Sequence, residues 1–102
     1  MENRFGLFGK IIAKEGQRDV LVQILLEGLG EMPGNELYII SKSATEPEAL
    51  HVFEVWKTEA DHTASLKLES VQALIARAKP LIAGFGDSVR MTPTGGKGLP
   101  TT

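Results

Sequence analysis

The chain has 102 residues, with 11 Lys and Arg against 13 Asp and Glu, a net charge of −2 and no cysteine. That length suits one domain and leaves much of the surface exposed on folding, so extra burial in an oligomer is expected. The cations are scattered without a basic stripe, which argues against nucleic acid and anionic membranes, and the missing cysteines exclude disulfides, thiolate catalysis and thiolate-bound metal. Met-Glu-Asn-Arg-Phe-Gly at the start has neither the cationic opening nor the apolar segment of a secretory signal. No apolar run approaches the ~20 residues of a membrane span, so a cytoplasmic protein is expected.

Residues 5–14 alternate as a strand, with Phe5, Leu7 and Ile11 on one face, Phe8 and Ile12 on the other, and glycines at 6 and 9 that admit a close backbone. Glu15-Gly16 ends it. From about Arg18, the polar residues Asp19, Gln23, Glu27 and Glu31 recur every four positions, while Val20, Leu21, Val22, Ile24, Leu25, Leu26 and Leu29 fill most of the remaining circumference. This predicts a helix with one narrow wet stripe. Gly28 and Gly30, each costing ~1 kcal/mol inside a helix, predict a frayed end or a close neighbour there, and Met32-Pro33-Gly34 makes the turn.

Residues 35–43, which include Leu37-Tyr38-Ile39-Ile40, read as a second strand, and the short polar link 44–48 leads to a third at 50–57 that must run antiparallel to it. In the third strand Leu50, Val52, Glu54 and Trp56 face one way and His51, Phe53, Val55 and Lys57 the other. Thr58 followed by Asp61 is close to a capping box, which starts a helix and puts His62 near the end of its first turn. Glu54, Trp56 and His62 are therefore expected to converge. That helix runs to about Leu66, and a second stretch from Ser70 carries Val71, Leu74, Ile75 and Ala78 at helical spacing until Pro80 disfavours helix at Lys79. After Gly84-Phe85-Gly86, residues 88–92 are expected as a short last strand. Residues 1–92 form one domain, and 93–102, rich in Thr, Gly and Pro, form a tail that is loose unless a partner holds it.

The order strand, helix, strand, strand, helix, strand is the split βαβ pattern of ferredoxin-like α+β folds. Helices cover one face of such a sheet, so Phe8 and Ile12, or Phe53 and Val55, would be left in water in a monomer. Two sheets packed face to face solve this and predict a symmetric dimer, a dimeric α/β barrel.

Trp56 is the only tryptophan, and core packing and a pocket wall are both compatible with its place. His62 is the candidate acid–base group, whereas His51, on the opposite strand face, is expected at a dimer interface or in solvent. Glu54 in an apolar strand needs a partner, expected to be an Arg, a Lys or a backbone donor. Tyr38 is expected to pack and to turn its hydroxyl inward, and Asn35 beside Pro33-Gly34 reads first as turn chemistry. Residues 84–89 have Val89 where a dinucleotide fingerprint needs its third glycine, and 94–98 lack both the leading glycine at Met91 and a Ser or Thr after Lys97 that a phosphate loop requires. Glu59-Ala-Asp-His62 is half of a helical carboxylate-bridged metal motif without a second copy, so no metal site is expected.

Lys-Glu-Gly-Gln at 14–17, Pro-Gly-Asn-Glu-Leu-Tyr at 33–38, Phe-Glu-Val-Trp at 53–56, Ala-Asp-His-Thr-Ala-Ser-Leu at 60–66 and Ala-Lys-Pro-Leu-Ile at 78–82 resemble the antibiotic biosynthesis monooxygenase family of the dimeric α/β-barrel superfamily. The resemblance covers about residues 5–92. It implies a cavity between sheet and helices, and an oxygenation of a phenolic or quinol-like compound by dioxygen without metal, flavin or haem. In that chemistry a base and a few hydrogen-bond donors stabilise an electron-rich anion inside an apolar pocket. Carried over by position, His62 is the base or an orienting donor, Trp56 a pocket wall, and Glu54 and Asn35 substrate-binding groups; Tyr38 joins the substrate-binding set from its place in the second strand. The haem-degrading branch fits less well, because its Asn-Trp pair would put Asn where this chain has Val55. The scaffold leaves other activities open. An isomerase or degrader of a small metabolite would use the same pocket, and a further alternative is a non-catalytic dimeric binding or accessory module; bulky side chains filling the space beside Trp56 would count against binding and catalysis alike.

Overall fold

The computed structural model describes residues 4–28 and 30–99. Leu29, assigned above to the first helix, the opening residues 1–3 and the last three of the tail lie outside the described residues. Four strands, β1 (Phe5–Ala13), β2 (Asn35–Lys42), β3 (Ala49–Trp56) and β4 (Ile82–Met91), form one antiparallel sheet in the order β2-β3-β1-β4. Helices α1 (Arg18–Glu27), α2 (Glu59–Ser65) and α3 (Glu69–Ala78) complete the ferredoxin-like α+β arrangement.

Residues paired across a ladder share a face of the sheet. Phe5 pairs with Trp56, Leu7 with Glu54 and Ile11 with Leu50, while Tyr38 and Ile40 on β2 pair with Glu54 and Val52. All of these belong to the face the helices cover. There Ala13, Leu50 and Val52 meet Leu21 and Leu25 of α1 and Ala78 of α3 in the main core. The end of α1 is not loose: a Cβ on Gly28 would come within 2.4 Å of Leu74, so glycine here lets α1 close against α3.

The last strand is longer than the sequence suggests. Gly84, Gly86 and Asp87 are weak strand formers, yet β4 starts at Ile82, fed directly from a 3₁₀ turn at Lys79–Leu81. The ladder with β1 supplies the hydrogen bonds that local preference does not. It absorbs the misfit as register shifts between Gly9 and Ile11 and between Ile12 and Ala13.

On the opposite face Phe8 is 39% exposed, Ile39 48% and Val89 49%. Phe8 stacks on His51 at 5.3 Å and meets the edge of Phe53 at 6.2 Å. Val55, expected to be stranded in a monomer, is instead only 1% exposed within the single chain. Its ladder partner is Gly6, and the Pro93 ring lies 3.0 Å from the place a Cβ on Gly6 would take. The segment after β4 thus returns over this end of the face. No helix among the described residues is long and apolar enough to cross a membrane.

Candidate active site

The site forms where β3 runs into α2. Thr58 is extended, and its Oγ1 accepts the Asp61 N–H at 3.1 Å, so the anticipated cap starts α2. The turn at Gly34 locks onto this junction: its carbonyl accepts the Lys57 N–H at 2.8 Å. Its φ of +85°, with Asp61 occupying the space a Cβ would need, requires glycine.

That cap aims His62 back at the sheet rather than into solvent. The imidazole is held between the Phe5 ring, at 5.2 Å, and the edge of Trp56, at 5.5 Å. Its Nε2 lies 3.9 Å from Glu54 Oε1, with the two side chains 17% and 14% exposed. Ser65 Oγ donates to the His62 carbonyl at 2.6 Å and braces the helix turn.

Glu54 finds a different partner from the Arg, Lys or backbone donor expected. The Trp56 Nε1–H donates to Glu54 Oε1 at 3.0 Å, because residues two apart on a strand share a face. Burial pushes the Glu54 carboxyl above its ordinary range, while the indole N–H and nearby His62 pull against that rise. Tyr38 sits directly opposite Glu54 in the ladder. Its hydroxyl has no hydrogen-bond partner among the described residues. Burial first, and then the neighbouring Glu54, hold this phenol protonated far above its usual range, so its O–H remains available to donate to a ligand.

Tyr38, Glu54, Trp56 and His62 all line one cavity of about 640 Å³. This is the size of small-molecule pockets, which are mostly apolar with a few convergent polar groups. The rest of the wall was not identified from sequence: Leu25 and Met32 from α1 and the loop beyond it, Leu66, Leu74 and Ile75 from the helical layer, and Phe85 from β4. Leu74 and Ile75 did carry a signal, their helical spacing, but not the direction in which α3 turns them. Asn35 is not in this wall. Its amide donates to the carbonyls of Leu37 and Val55, at 3.2 and 3.3 Å, across the bulge that opens β2. His51 lies on the far face, against Phe8. Among the described residues no three His, Asp or Glu side chains gather as metal ligands would.

The antibiotic biosynthesis monooxygenase family model matches residues 5–77. The chain belongs to this family. A candidate antibiotic biosynthesis monooxygenase from Chloroflexus aurantiacus J-10-fl is 42% identical, covers 95% of this chain and 99% of its own, and superposes with a TM-score of 0.91. Two further candidate monooxygenases share the fold at low identity. The protein from Nitrosomonas europaea is 18% identical with a TM-score of 0.82, covering 93% of this chain and 97% of its own. The one from Caulobacter crescentus CB15 is 15% identical with a TM-score of 0.83, covering 92% of each. No curated protein matches. Family membership supports a monooxygenase-type function acting on a small molecule, and the cavity is where this monooxygenase-family chain gathers its polar groups.

Proposed function

We propose that the protein is a cofactor-independent monooxygenase that oxidises a phenolic or quinol-like compound with dioxygen, working as a homodimer. The observation that carries the reading is the convergence of His62, Glu54 and Tyr38 at one end of a mostly apolar cavity walled by Trp56.

His62 Nε2 takes the phenolic proton, and Glu54, fixed by the Trp56 N–H, stabilises the resulting imidazolium. Tyr38, kept protonated, donates to the oxyanion. The electron-rich anion then reduces dioxygen itself. One oxygen atom enters the ring as a carbonyl and the other leaves as water, so a ring CH₂, or its phenolic tautomer, and O₂ give C=O and H₂O with the substrate as the only reductant. The apolar wall keeps bulk water from competing for the anion.

The exposed apolar side chains Phe8, Ile39 and Val89 on the sheet face away from the helices support a face-to-face dimer. The test of function is an oxygen electrode: purified protein with a chelator present, screened against quinols and hydroxyanthracenes. Uptake of one O₂ per substrate supports the reading. Conversion of substrate without oxygen uptake would point to an isomerase on the same scaffold, and neither binding nor turnover to an accessory module.

A further inference from the structure

The cavity has a second charged wall residue, Lys79, at the C-terminal end of α3. Its ammonium has no ion pair or hydrogen bond among the described residues, and it is the only Lys or Arg in the wall. The sheet ladders place it far from Glu54. Glu54 lies opposite Leu7 on β1, whereas Ile82 and Phe85, the first and last β4 residues in the wall, lie opposite Ala13 and Ile11. The Lys14 N–H also bonds the Leu81 carbonyl at 2.8 Å, which pins the Lys79–Leu81 turn beside the end of β1. Four to six strand residues separate these rows, about 13–20 Å at about 3.3 Å each.

The cavity is thus an apolar slot with an acid–base group at one end and an unused cation at the other. A ligand carboxylate pushed to the inner end would lose its water and face Glu54, a like charge. At the outer end it would meet Lys79, where exposed neighbours such as Phe85, 71% accessible, still admit solvent. The two ends therefore orient an asymmetric ligand one way round.

Resting on the reading of this cavity as the oxygenation site, we propose that the substrate is an elongated ring compound with a carboxylate at the end remote from its reacting hydroxyl. Lys79 is the residue that selects that acid and sets the direction of entry.

The test is calorimetric titration of the full chain with 6-hydroxy-2-naphthoate and with the neutral 6-hydroxy-2-naphthamide. The acid is expected to bind about two- to fivefold more tightly, the gain of a solvent-exposed ion pair, because Lys79 is itself exposed. Added salt should erode the difference. Lys79→Gln should abolish it. Arg77→Gln removes the same charge from an exposed pair with Glu27 outside the cavity wall, and should leave it intact. If Lys79 only complements the end of α3, its loss lowers the melting temperature without changing the acid–amide ratio, and the proposal falls. Equal binding of the two compounds, binding of neither, or a preference that survives Lys79→Gln also overturns it. Binding is read here without turnover. An acid preference without oxygen uptake would sink the oxygenase reading alone, and oxygen uptake without the preference would sink this one alone.

Discussion

Replacing Trp56 with phenylalanine separates the two jobs the structure gives it. The indole is 1% exposed, walls the cavity and donates to Glu54 at 3.0 Å. Phenylalanine keeps a ring and loses the donor. A hydrogen bond to a charged group contributes roughly 1.5–3 kcal/mol. The Glu54 side chain is 14% exposed and borders the cavity, so water can partly replace the indole and the lower half of that range applies. The smaller ring forfeits about 1 kcal/mol of burial, roughly one CH₂ equivalent. The sum is about 2.5–3 kcal/mol. At roughly 4–8 °C per kcal/mol for a domain of this size, a circular-dichroism melt should fall by roughly 10–20 °C. Trp56→Ala should cost about 3–5 kcal/mol, toward the low end because the new void merges with an existing cavity. A double-mutant cycle of Trp56→Phe with Glu54→Leu should show a coupling of about 1 kcal/mol or more. A melt lowered by less than about 3 °C, with additive mutations, would refute both the packing and the bond.

Two further outcomes follow from the same geometry. The folded Glu54 carboxyl titrates above its ordinary value of 4.5, so its favourable contribution is complete below that pH and is lost as pH rises through the raised value. Glu54→Gln should therefore gain on the parent protein as pH climbs from about 4.5 toward 8; a gap that stays flat or closes contradicts the assignment. Light scattering at micromolar protein should give a dimer, and Ile39→Lys, which puts a charge into the outer apolar face, should give a folded monomer. A monomeric parent protein would remove the barrel.

The element order was legible because each segment's periodicity agreed with its end signals: the Thr58 cap, the Gly34 turn and the stop at Pro80. The same rules located the heart of the site. Strand parity put Glu54 and Trp56 together, and the cap at Thr58 turned His62 toward them. What remained hidden depends on contacts between distant segments. β4 reads as short because Gly84, Gly86 and Asp87 have little strand preference of their own, and only β1 makes them a strand. Val55 reads as stranded because parity cannot foresee that Pro93 folds back over Gly6. Asn35 is offered to a ligand by the family resemblance alone, and a bulge between residues 35 and 37 spends its amide on two carbonyls. The Leu74 and Ile75 wall needed the rotation of α3 over the sheet, a packing in which Leu74 occupies the space a Cβ on Gly28 would take.

The most direct test of the account is the initial rate of oxygen uptake by His62→Ala beside the parent protein, with a quinol substrate found in the screen and chelator in both cells. A general base is typically worth ~10²–10⁴-fold. The account predicts a fall of at least about a hundredfold in turnover, with the melting temperature and the dimer preserved. Unchanged turnover in a folded His62→Ala protein would contradict it, and would leave the phenol to ionise without any help from this histidine.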